Sequence, residues 1–81
     1  MEYDKDKIDD CTLALLYLVM FERSEGNGAR VWKGFDWDTM ERLYEKNYIT
    51  DPRRKTKSVV MSEEGCRRAE ELFREYFGKD N

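Results

Sequence analysis

Arg53, Arg54, Lys55 and Lys57 place four positive charges in five positions, with no acid between them, just after an Asp-Pro turn at 51–52. Cations concentrated on a protruding loop are suited to polyanion binding, since each can neutralise one phosphate. Arg67 and Arg68 lie beyond the apolar run that follows and could extend the same patch. A solvated hairpin tip is the competing reading, because charges at a loop end also keep edge strands from pairing. The chain as a whole offers no basic footprint. With 15 Lys and Arg against 18 Asp and Glu its net charge is −3, so nucleic-acid binding would have to come from a local patch.

Little else in the sequence could do chemistry. There is no His, so Ser-His-Asp and Cys-His arrangements are absent, and Cys11 and Cys66 stand far apart without a CxxC spacing. Both cysteines fall on apolar sides of expected helices and read as small buried hydrophobes. Two cysteines alone cannot build a zinc site of the usual kinds. The acids at Asp4, Asp6, Asp9 and Asp10, and at Asp36 and Asp38, lack the glycine-containing spacing of a calcium loop and stand at helix starts, where negative charge is stabilising. GNGARVWKG (26–34) has neither a nucleotide fingerprint nor a preceding strand. The expectation is a protein that is not an enzyme and holds no metal or cofactor.

Three helices must position these residues, and each announces its start in the same way. Asp4, Asp36 and Ser62 are capping side chains preceded by Tyr3, Phe35 and Met61, with Ile8, Met40 and Cys66 at the spacing of a hydrophobic staple. The first helix is expected over about 5–23, ended by the glycines of SEGNG (24–28), the second over about 37–46, with Asn47 as a left-handed cap, and the third over about 63–77, stopped by Gly78. ARVWKG (29–34) reads as an irregular or short helical turn. Tyr48–Asp51 and Lys57–Met61 read as two short strands around Pro52. The expected fold is α+β and mainly α: one domain over 1–81, three helices with a two-stranded hairpin at one edge.

The first helix is apolar all round in its second half. Ile8, Cys11, Leu15, Leu18 and Val19 share one face, and Leu13, Leu16, Tyr17 and Met20 another. Either the helix is central and covered on both sides, or a domain this small leaves Leu13, Leu16, Tyr17 and Met20 for a partner, most simply a second copy about a two-fold axis. CTLALLYLVMF (11–21) is too short to span a bilayer, which needs roughly 20 apolar residues. The N-terminus is acidic where a secretory signal would be basic, so the expected location is cytoplasmic, with no membrane partner.

LYEKNYI (43–49), DPRRKTKSVV (51–60) and MSEEGCRRAEEL (61–72) resemble winged-helix transcription regulators of the multiple-antibiotic-resistance type. In that family a recognition helix ends in Glu-Lys-Gly-Tyr-Ile, and a basic wing and a Val-x-Leu-Thr-x-x-Gly junction follow. The resemblance implies a winged-helix-like fold and DNA as a partner. Over its whole length, through MEYDKDKIDD, TLALLYL and WKGFDWDTMERL, the chain also resembles a family of short bacterial proteins of unknown function.

As a groove reader the second helix is poorly charged: Asp36, Asp38, Glu41 and Glu45 stand against Arg42 and Lys46, a surface that phosphates would repel. The leading expectation is therefore a small interaction module, homodimeric through the first helix, with the acidic second helix and the wing open to a protein partner. The alternative is a DNA-binding regulator whose wing, with Arg67 and Arg68, holds phosphates.

Overall fold

The computed structural model describes residues 1–24, 26 and 28–79. Along the chain run α1 (Lys5–Leu18), β1 (Phe21–Ser24), β2 (Gly28–Trp32), α2 (Trp37–Glu45), β3 (Ser58–Met61) and α3 (Glu63–Phe77). All three expected helix starts are present. The side chains of Asp4, Asp36 and Ser62 accept from the backbone N–H groups of Lys7, Thr39 and Gly65 at 3.0, 3.1 and 2.9 Å. Asn47 takes the left-handed conformation expected of it, with φ 67°.

The strands differ from expectation. They form one antiparallel sheet in the order β1-β2-β3, a three-stranded sheet where a two-stranded hairpin was expected. ARVWKG is no helical turn: its first four residues complete β2, with Ala29 opposite Met61 and Trp32 opposite Ser58. Ala29 and Val31 are buried while Arg30 and Trp32 face away, the period-two alternation of a strand with one covered face. Tyr48–Asp51 forms no strand of its own but an isolated bridge from Ile49 to Met61, with 2.9 Å bonds from the Thr50 N–H to the Val60 carbonyl and from the Ser62 N–H to the Tyr48 carbonyl.

Helix α1 stops at Leu18, short of position 23, because residues 21–24 turn back along β2 through a bulge at Glu22, φ 50°. The glycines of SEGNG thus do not end a helix: Ser24 closes β1 and Gly28 opens β2, while positions 25 and 27 lie outside the described residues. Gly28 must be glycine, since at φ 84° a Cβ would come within 1.9 Å of the Met61 carbonyl oxygen.

Helix α3 packs along α1 and covers one face of β2 and β3, and α2 also packs on α1. Leu13, Leu16, Val31, Met40, Leu43, Met61 and Leu72 are fully buried where these layers meet. Helix α3 is seated by its backbone: a Cβ on Gly65 would lie 2.3 Å from the Tyr48 carbonyl oxygen, and Ser62 Oγ donates to the Asn47 carbonyl at 2.9 Å. No helix among the described residues is long and apolar enough to cross a membrane.

Candidate functional site

The basic loop between the Ile49 bridge and β3 is held from two sides. Arg53 Nε and Nη2 donate to the Asp51 carboxylate at 2.9 and 3.1 Å, and the Arg53 backbone N–H donates to the same carboxylate at 2.9 Å. Those bonds, the side-chain ones first, hold the Asp51 carboxyl below its ordinary range, and Asp51 in turn raises the Arg53 guanidinium. Glu41 lies 3.6 Å from Arg53 Nε, and the guanidinium stands 5.8 Å from the Tyr44 ring centre. On the other side Lys33 Nζ donates to the carbonyls of Pro52, at 2.7 Å, and of Arg54. Arg53 is therefore committed within the protein. Arg54, Lys55 and Lys57 are exposed and, among the described residues, make no ion pair. Arg67 and Arg68 already face Glu71 of their own helix, at 3.8 and 3.6 Å.

The cations of α2 point into the protein, not toward a groove. Arg42 Nε donates to both oxygens of Asp9, at 2.8 and 3.0 Å, and Lys46 Nζ donates to Asp9 at 2.9 Å and to Asp6 at 3.1 Å. Asp9 is only 1% exposed, so this is a buried carboxylate clamped by two cations from the neighbouring helix. Burial pulls the Lys46 amine down, but the bonds to Asp9 and Asp6 outweigh it and the net shift is upward. Thr39 completes the cluster, its hydroxyl donating to Asp36 at 2.9 Å and accepting from Arg42 Nη2 at 3.2 Å. With both cations withdrawn, the exposed charges left on α2 are the acids Asp38 and Glu45.

Along α1 the two apolar faces have exchanged the roles expected of them. Leu13 and Leu16 are fully buried in the core of the single chain and are not available to a partner. Tyr17 is half-buried, its hydroxyl donating to Glu70 at 3.2 Å and its ring 5.1 Å from Phe73, and Met20 packs on the core. Glu70 and Phe73 of α3 meet Tyr17 here, and Arg42 and Lys46 reach Asp9, one turn before Leu13, which is why this side is the covered one. The open face carries Leu15, Leu18 and Val19, with Leu18 at 63% exposure. Tyr76 borders this face beside Asp10 and Cys11, its hydroxyl raised by burial and then by the Asp10 charge. Phe77 follows it, also exposed. Cys11 is partly exposed on that face, whereas Cys66 is buried, and burial pushes its thiol up.

Sequence reasoning missed two further features. One is the Asp9 cluster, whose signal was the match between acids at positions 6 and 9 and bases at 42 and 46, each pair one helical turn apart. The other is an aromatic pair on the sheet, Phe21 and Trp32, with ring centres 5.0 Å apart. A cleft of about 420 Å³ lined by Met1, Tyr3, Ile8, Asp36, Thr39 and Arg42 lies next to the Asp9 cluster. Among the described residues no group of three or more Cys, Asp or Glu is gathered as a metal site.

The fold and its surfaces define a small α+β domain with three helices and a three-stranded antiparallel sheet. The chain belongs to the family described as a domain of unknown function, DUF6429, whose model matches residues 4–79. It is 53% identical over 77 residues to the uncharacterised protein y4hR of Sinorhizobium fredii, a match that covers 95% of this chain and 97% of that protein. The whole-chain resemblance to short bacterial proteins of unknown function is borne out by these matches. No solved structure matches the chain.

Proposed function

We propose that the protein is a small, non-enzymatic interaction module of the cytoplasm that pairs with a second copy of itself through the open face of α1. The observation that carries this is the apolar strip of Leu15, Leu18 and Val19 on α1, left exposed by the chain's own elements. A two-fold pairing would set the two α1 helices side by side and self-complementary. Each large apolar side chain withdrawn from water is worth about 1.5–3 kcal/mol, so a few on each subunit are a substantial gain for a domain of this size.

Sedimentation equilibrium tests it. A dimer at tens of micromolar that becomes a monomer in Leu18→Asp supports the reading, and a monomeric wild type sinks it. Leu18 is the residue of choice because it is exposed, so its replacement leaves the core intact.

A second reading, a winged-helix DNA-binding regulator with the 51–57 loop as its wing, draws support from one observation: Arg54, Lys55 and Lys57 have no acidic partner among the described residues. In that reading phosphates are held by the loop, and α2 contributes little, since Arg42 and Lys46 serve Asp9.

A further inference from the structure

The sheet has one face packed by α3 and an outer face that bears Arg30, Trp32, Ser58 and Val60, none of them buried. Phe21 and Trp32 lie together on that outer face, their rings inclined by 31° and Trp32 54% exposed. A half-exposed indole on an open sheet is costly to leave in water and well placed to receive a flat ring.

The position of Trp32 matters as much as its exposure. It ends β2 opposite Ser58, and the N–H of the next residue, Lys33, bonds the Lys57 carbonyl at 3.2 Å. The indole therefore stands at the root of the loop that carries Arg54, Lys55 and Lys57. Two residues before Trp32, and so on the same face, Arg30 is fixed by a 3.0 Å bond from its Nη1 to Ser58 Oγ. Its other partner is the exposed Glu22, 3.3 Å away, an ion pair weak enough for a phosphate to displace. Phe35 and Trp37, also exposed, follow within five residues of Trp32.

We infer that this end of the sheet binds single-stranded nucleic acid, with bases stacked on the Phe21–Trp32 pair and the backbone drawn along Arg54, Lys55 and Lys57. Stacking platforms beside cationic tracks are how sequence-tolerant single-strand binders work, because every base has a π-face and every nucleotide a phosphate. A duplex could use only the cations, since its bases are already stacked on one another. The site uses neither the acidic face of α2 nor the apolar strip of α1, so the outcome of the dimer experiment leaves it untouched.

The test is fluorescence anisotropy of a labelled oligothymidylate of about 20 nucleotides, and of a duplex of the same length, at about 50 and 200 mM salt. The single strand is expected to bind more tightly than the duplex. Trp32→Ala should weaken single-strand binding by about 5- to 150-fold, and Trp32→Phe, which keeps a stacking ring, should restore most of it. Replacing Arg54, Lys55 and Lys57 together by Ala should flatten the slope of log affinity against log salt by about 2, at about 0.7 for each phosphate released. No single-strand binding at the lower salt, equal or tighter binding of the duplex, or an unchanged affinity in Trp32→Ala would each overturn the proposal. Far-UV circular dichroism confirms that the variants are folded, and the Phe variant keeps the question decidable should the Ala variant unfold.

Discussion

Arg42→Met should destabilise this protein more than Asp9→Asn, although the two substitutions break the same ion pair. The reason is where the charges sit: the Asp9 side chain is 1% exposed, whereas those of Arg42 and Lys46 are 21% and 34% exposed. Removing Arg42 deletes two of the three charged hydrogen bonds to a carboxylate that water cannot reach. Breaking a buried pair in this sense costs about 3–5 kcal/mol, and the surviving Lys46 bond places the expectation at the lower end, about 3 kcal/mol. Removing the charge of Asp9 instead leaves two cations that reach solvent, one of which keeps Asp6 at 3.1 Å, so the expected loss is that of one charged hydrogen bond, about 1.5 kcal/mol.

Against a total stability of about 4–12 kcal/mol for a chain of this length, both are measurable by urea unfolding followed by circular dichroism. Adding Asp9→Asn to Arg42→Met should recover part of the loss, because the stranded charge is then gone. Neutral pH suits the comparison. The folded Lys46 amine is raised above its unfolded value of 10.5, so its contribution is complete below that value and lost only as pH climbs through the folded one. If Asp9→Asn costs as much as Arg42→Met, or if the double variant is the least stable of the three, the account of a buried anion held by two outer cations is wrong.

Two other outcomes follow from close contacts and burial. Gly65→Ala should cost about 3 kcal/mol, the upper end for overpacking, because its Cβ would meet backbone of Tyr48 that cannot rotate aside; a fall in the urea midpoint measures it, and an unchanged midpoint refutes the seating of α3. Alkylation of the native protein should label Cys11 quickly and Cys66 slowly, since Cys66 is buried and its thiol raised; if α1 pairs with a second copy, Cys11 labelling should slow as protein concentration rises.

Helix starts were legible in the sequence because local capping signals set them. Asp4, Asp36 and Ser62 cap the helices they were expected to cap, and Asn47 turns left-handed where expected. What was not legible depended on long-range pairing. Residues 29–32 form a strand because β3, some thirty positions away, offers a ladder, although their alternation of Ala29 and Val31 with Arg30 and Trp32 was a readable sign. The choice between the two apolar faces of α1 could not be made from α1 alone, because both are apolar and only the packing of α2 and α3 decides which is covered. The charge of α2 read as a solvated surface, since nothing within that helix shows that Arg42 and Lys46 belong to Asp9.

The contact between α1 and α3 also sets an order in time. Tyr17 reaches Glu70 across 53 positions, so α1, made on the ribosome before α3, waits for α3 before Tyr17 can be covered. At about 5–20 residues per second those 53 positions take about 3–11 seconds to make, and through that interval Tyr17 has neither Glu70 nor Phe73 to pack against. A nascent chain stalled before residue 63 would lack α3 altogether. Such a chain would leave Tyr17 uncovered beside the open strip of Leu15, Leu18 and Val19, which makes it a natural client for the holding chaperones that meet polypeptides at the tunnel exit.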